Sequence, residues 1–368
     1  MKDKLYVTAR GLTTSVGLDA NTSCSSIRAG LNRLSPISGA SILDLEIIEP
    51  VEVIGHPLDL LTLGYAFVGR WIRLITSAME DLVANVCKVH ADDLLNANTT
   101  AYIFALPVID ERFLQIDELN EAFFSSTIHS EFCSHYGIDQ QDTIVRFVHD
   151  GHASVIKSVE IAAQLLDSHD SRIKNVMIIA VDSYIESLSL EFLQKNKRLF
   201  NKENNLAGLM PGEAAGILVL TNEQGVNKEN KIIACIESYS TKESDSIYFE
   251  SDNLNGLELS QSIEACLQQN SAILPFSGDV YLDLNGESWR SVIVSNAITR
   301  LSNNYLEMSQ VNKCIPAVSI GDVGAASGVV SICLAMHSWW RAYALSEVSL
   351  ICSISDYGHV GTLLLSNK

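Results

Sequence analysis

The sequence predicts an α/β protein with a layered αβαβα body built from two similar halves. Three observations carry this expectation. Apolar β-type runs alternate with helix-patterned ones along all 368 residues. One helix–strand–strand unit occurs twice. A polar, unpatterned stretch, NEQGVNKEN at 222–230, separates the copies, so the halves are expected at residues 1–225 and 226–368.

In chain order, KLYVTA is the first strand and Ala20 to Ala29 the first helix. TAYIFALP then reads as a strand, Asp110 to Tyr136 as a helix, TIVRFV as a strand and Ala153 to Leu166 as a helix. NVMIIAVDS and GEAAGILVLTN close the first half as strands whose unbroken apolar character suits burial on both faces. The second half repeats the alternation. KIIACIESYS is a strand, Leu257 to Gln269 a helix, DVYLDL a strand and Trp289 to Leu301 a helix. IPAVSI is expected as a strand, Ala325 to Tyr343 as a helix, and VSLICSIS and GHVGTLLLSN as strands. The repeat is carried by ASVIKSVEIAAQLL and NVMIIAVDS against ASGVVSICLAMHSW and VSLICSISD, with nearly equal spacing from Ala153 to Val176 and from Ala326 to Val348. Helices opening on Gly, Ala and Ser can lie close to neighbouring backbone, as helices sandwiched between two sheets must.

Composition narrows function. Hydrophobic residues make up 47 % and charged ones 19 %, enough for a deep core and against disorder. The net charge of −19, with no run rich in Lys and Arg, argues against nucleic acid as a partner. Arg70/Arg73 and Lys195, Lys197 and Arg198 are the only candidate basic patches, and both read as solvated helix faces. Eight scattered cysteines without a C-x-x-C pair read as buried free thiols of a reducing compartment. The opening MKDKLYVTARGL lacks the long apolar region of a secretion signal, so a cytoplasmic location is expected. Val323 to Trp340 is uncharged but rich in small residues and carries His337, which suits a buried core helix rather than a membrane span.

Five segments, in order, resemble the β-ketoacyl synthase group of thiolase-fold proteins: YVTARGLTTSVGLDANTSCSSIRAGLNRL, the helix after HDGH, PGEAAGILVL, GDVGAASG and YGHVGTLLL. The resemblance implies a thiolase-like five-layered αβαβα sandwich of two pseudo-equivalent halves. It also implies pairing through TIVRFV, as a homodimer or a heterodimer with a related synthase, with acyl carrier protein or acyl-CoA as further partners. No cofactor is implied. The family's chemistry requires a cysteine at a helix N-terminus, where the dipole favours the thiolate, and two further groups, His/His or His/Asn, that hold the developing oxyanion.

On the positions that match those motifs, this sequence carries His152 in place of the cysteine, Asn285 in DLNGE in place of the first histidine, and Asp322 in GDVGAASG in place of the second partner. Without a thiol there is no stable acyl-thioester enzyme, and an acyl-imidazole is prone to hydrolysis. An ionised Asp322 would repel the carboxylate of a malonyl-type substrate. Two functions stay open: a non-condensing synthase partner or acyl-binding protein, and an acyltransferase or thioester hydrolase using His152 with Asp322 as a general-base pair. His149 and His152, three positions apart, also fit a weak metal pattern with Asp150 or Asp322, for which a turn-satisfied imidazole is the commoner account. His149 and His359, the latter at the family's pocket-lining aromatic position, are candidate pocket residues.

Overall fold

The computed structural model describes residues 4–44, 49–109, 119–168, 172–202, 205–226, 228, 230–302 and 304–368. Its first part runs β1 (Leu5–Thr14), α1 (Ala20–Arg28), the hairpin β2 (Ser35–Asp44) and β3 (Glu49–Gly55), α2 (Asp59–Thr62), α3 (Phe67–Ala84), α4 (Lys88–Leu94), β4 (Thr100–Ala105), α5 (Glu121–Tyr136), β5 (Val145–Val148), α6 (Ser154–Leu166), β6 (Asn175–Ser183), α7 (Ser187–Lys195) and β7 (Glu213–Thr221). Then follow β8 (Ala234–Lys242), α8 (Leu257–Gln268), β9 (Phe276–Leu282), α9 (Ser288–Leu301), β10 (Leu306–Cys314), α10 (Ala317–Ile320), α11 (Ser327–Trp340), β11 (Val348–Ile354) and β12 (Val360–Asn367).

Ten strands form one continuous sheet in the order β10-β9-β11-β12-β8-β1-β7-β6-β4-β5. Strands up to residue 221 occupy five adjacent places and those from 234 onward the other five, joined where Leu5, Tyr6 and Val7 pair with Ile236, Cys235 and Ala234.

Side-chain alternation, with its period of two, assigns the layers. Along β6, Val176, Ile178 and Ala180 face a core shared with α6 and α11, whereas Met177, Ile179 and Val181 face α3 and α5. Along β11, Ile351 points to the first core and Leu350, Cys352 and Ile354 to a third with α8 and α9. Helices α6 and α11 thus lie between the two strand sets, with helices outside each: αβαβα. Close approach at the centre depends on small residues, since a Cβ on Gly328 would lie 2.8 Å from the Cβ of Val155.

Several expectations need correction. IPAVSI is not a strand: Pro316 leads into the short helix α10, and the strand is the preceding polar edge segment β10, whose side chains are mostly exposed or half-buried. The helix expected from Asp110 begins at Glu121, capped by Asn120, whose Oδ1 accepts from the Phe123 N–H at 3.0 Å; residues 110–118 lie outside the described ones. Residues 227 and 229 of the separating stretch lie outside them too. Helix α11 is shorter than expected, because Gly324–Ala326 form a 3-10 turn and the α-helix ends at Trp340. No described helix is long and apolar enough to cross a membrane.

Arg70 does not belong to a solvated face. It is 8 % exposed, and its Nη1 donates to Glu213 Oε2 at 2.8 Å. The other Glu213 oxygen accepts from the Leu58 N–H at 2.7 Å and the Thr62 hydroxyl at 2.8 Å, and Ser183 Oγ donates to Oε2 at 2.9 Å. The glutamate of PGEAAG therefore ties α2, α3 and the end of β6 to the start of β7. Glu213→Ala leaves a buried guanidinium uncompensated, so urea unfolding should show a loss of about 3–5 kcal/mol; a loss below about 1 kcal/mol would mean that Glu213 does not tie these elements together.

A buried ionic site between two helix N-termini

Two equivalent turns form the site. Between β5 and α6, a 3-10 turn at Gly151–Ala153 carries His152; before α11, the turn at Gly324–Ala326 follows Asp322. The second turn needs glycine at 324, where φ is +49° and a Cβ would fall 1.9 Å from Asp182 Oδ2. That same oxygen accepts the Ala325 N–H at 3.0 Å and so holds the turn against the end of β6.

Asp322 is the centre. Its Oδ1 lies 2.8 Å from His152 Nε2 and accepts the Gly324 N–H at 2.8 Å; its Oδ2 accepts from Asn285 Nδ2 at 2.7 Å. Asn285 also donates to Glu287 Oε2 at 2.9 Å and accepts the Glu287 N–H at 3.0 Å. Glu287 receives a fork from Arg198, Nε to Oε1 at 2.7 Å and Nη2 to Oε2 at 2.8 Å. Arg198 then reaches Asp356 at 2.9 Å, and Arg290 joins Asp356 at 2.8 Å and Asp283 at 3.3 Å. Arg290 also donates to the Ile354 carbonyl. All these side chains are buried, His152 at 2 % and Asp322 at 3 % exposure.

Charge is balanced by proximity. Burial alone would raise the Asp322 carboxyl, but the charge and hydrogen bond of His152, then Arg290 and Asn285, hold it well below the carboxylate range. Burial alone would lower His152, yet Asp322 outweighs it and keeps the imidazole above its ordinary 6.5 despite repulsion from Arg290. Burial likewise acts on Asp356, but Arg198 and Arg290 bring it down to about 2. Asp283 is pushed up by burial, which moves the cluster from three cations and four carboxylates toward balance.

The structure therefore brings His152, Asn285 and Asp322 together. His149 is not with them: its Nδ1 lies 3.1 Å from the Pro107 carbonyl and its Nε2 3.0 Å from Ser125 Oγ. A carbonyl only accepts, so Nδ1 carries the proton and Nε2 accepts from the serine. His359, directly before β12, is half-buried, and its backbone carbonyl accepts from the Ser355 N–H at 2.7 Å. Among the described residues no group of three His, Cys, Asp or Glu side chains is placed to hold a metal ion.

Sequence reasoning missed the ionic partners. Arg198 reads as part of a solvated face with Lys195 and Lys197, yet it is 5 % exposed; the signal against that reading is the apolar Leu199-Phe200 directly after it. Asn285 and Gly286 also floor a surface groove of about 460 Å³ walled by Phe200, Met210 and Val318, with buried His56 among its lining residues. Burial pushes His56 down to about 4.

No family model matches the sequence, and no curated protein matches it either. Solved structures do match. A chain of a type II polyketide synthase complex, an acyl-carrier protein with its ketosynthase bound to a hexaketide, superimposes with a TM-score of 0.74 at 13 % identity, covering 100 % of both chains. The fold is that of the thiolase-like ketosynthases. The ketosynthase from module 6 of the bacillaene synthase of Bacillus subtilis 168 matches this chain with a TM-score of 0.73 at 10 % identity, over 100 % of it and 72 % of that chain. The ishigamide ketosynthase/chain length factor matches at 0.65 and 12 % identity, over 99 % of each chain.

The pair has a pH signature. His56, His90, His129, His149 and His337 are all held below 6.5, chiefly by burial. His152, held above 6.5, contributes stability that is complete below that value and is lost as pH rises through its folded pKa. Asp322, held below its ordinary 3.8, contributes stability that is present above that value and lost as pH falls through its folded pKa. The stability difference between the wild type and Asp322→Asn should therefore be greatest between about pH 4 and 6.5 and shrink above it. By NMR, His152 should titrate above 6.5 in the wild type and below it in the variant; a wild-type midpoint below 6.5 would contradict the charged pair.

Proposed function

We propose that this chain is a non-condensing partner of a ketosynthase, assembled from halves 1–225 and 226–368. The observation that supports this reading best is the state of residue 152. Where the resemblance calls for a thiol at a helix N-terminus, a buried imidazole is locked to Asp322 at 2.8 Å. Seven buried or half-buried thiols do not compensate. Burial pushes Cys235 and Cys266 up to about 12 and Cys314 and Cys333 up to about 11, and raises Cys24, Cys133 and Cys352 as well. Asp322 puts a carboxylate at the position the resemblance assigns to a condensation partner, and both of its oxygens are already taken by His152, Gly324 and Asn285.

The partnership reading draws on the likeness to a ketosynthase/chain length factor structure and on β5, which among the described residues ends the sheet and offers an edge able to pair with another chain. A net charge of −19 suits an acidic acyl carrier protein poorly as a direct partner, so the carrier is better received by the synthase.

A second reading, an acyltransferase or thioester hydrolase, is favoured by the His152–Asp322 pair itself. In that arrangement the aspartate occupies Nε2, leaving only Nδ1 to serve as base.

Incubated with a panel of acyl-CoA and acyl-carrier thioesters, the chain should show no covalent acylation by mass spectrometry and no thioester loss above buffer. Co-expressed with the ketosynthases of its own genome, it should co-purify with one of them at a fixed ratio. Thioester turnover abolished by His152→Ala would overturn the proposal in favour of the second reading.

A further inference from the structure

We propose that the basin between the C-terminal ends of α1 and α11 binds a diphosphate group. This cavity of about 420 Å³ is lined by Ser25, Arg28, Ala29, His337 and Arg341, and its size lies within the range of small-molecule sites. It lies outside the ionic site around Asp322 and shares no residue with it.

Its cations are held by rings rather than by carboxylates. Arg28 stacks over Tyr343 with its guanidinium carbon 3.8 Å from the ring centre, and Arg341 stacks over Trp340 at 4.6 Å. Between them, buried His337 ties the rings together: its Nδ1 lies 2.9 Å from the Tyr343 hydroxyl, its Nε2 lies 3.2 Å from Ser25 Oγ, and its ring meets Trp340 edge-on at 5.7 Å. Face stacking fixes a guanidinium plane while leaving its N–H edge free to donate. Among the described residues neither Arg28 nor Arg341 forms an ion pair, and no carboxylate lines the basin.

The local field favours an anion even though the chain is acidic. Arg10, Arg341 and Arg28 all reach His337 and, together with burial, push it down to about 4, so the imidazole is neutral and adds no charge of its own. Two helix C-termini explain why cations gather here, but each carries only about half a negative charge, so the two lining guanidiniums leave a surplus of about one positive charge. Two separately anchored forks, each suited to one bidentate oxyanion, match a ligand with two linked phosphoryl groups better than a single anion. The diphosphate could be free or part of a nucleoside diphosphate.

Isothermal titration calorimetry of the full chain with inorganic pyrophosphate, ADP and malonate at low salt tests this. Saturable one-to-one binding of pyrophosphate is expected, weakened at least about tenfold in Arg28→Gln and in Arg341→Gln. Both side chains are exposed, so the far-UV spectrum of each variant should match the wild type. Pyrophosphate alone would identify a free diphosphate as the ligand, and tighter binding of ADP would identify a nucleotide. No saturable binding of either, malonate binding equally well, or unchanged affinity in both variants would overturn the proposal.

Discussion

One carboxylate organises the interior. Asp322 accepts hydrogen bonds from a turn before α6, from the loop after β9 and from its own turn before α11, so segments far apart in sequence converge on its two oxygens. An isolated ion in such a place would cost several kcal/mol of desolvation. The structure meets that cost by extending the chain of partners outward until each charge faces an opposite one. This makes the cluster cooperative, because a missing member strands its neighbours as unpaired buried charges.

The fold explains why the charges collect there. Strands β6, β7, β9 and β11 are buried along nearly their whole length, and polar side chains gather at their tips: Asp182 and Ser183 at the end of β6, Glu213 at the start of β7, Asp283 just after β9, and Ser355 and Asp356 just after β11. Two helices with glycine and alanine at their openings lie close enough to bring these strand ends together. At that junction the chain holds an internal salt lattice of three cations and four carboxylates.

Legibility in the sequence followed burial. β6 is readable to the residue because NVMIIAVDS is apolar on both faces, and α6 and α9 are readable from their patterned faces. β10 escaped because an edge strand of LEMSQVNKC carries mostly polar side chains and no alternation. α3 enters the sequence reading only through Arg70 and Arg73, although Val68, Trp71, Leu74, Ile75, Ala78, Met79 and Leu82 mark a buried helical stripe. His152, Asn285 and Asp322 were found through family motifs rather than periodicity. Arg198, Glu287, Arg290 and Asp356 could not be joined to them from sequence, since a buried arginine and a solvated one look alike until the partner is placed in space.

Among the described residues the two strand sets pair within the sheet at Leu5 to Val7 against Ala234 to Ile236, and a further backbone bridge joins Pro211 to Asp322 near the helix tips. Between them lie α6 and α11, and beyond those the ionic lattice. The molecule is thus fastened like a book, hinged at a short spine and clasped near the helix tips. Any motion that spread its covers to admit a chain-sized guest would have to unclasp charged groups in a dry interior, which gives this architecture the stiffness of a fixed wall rather than the give of a tunnel.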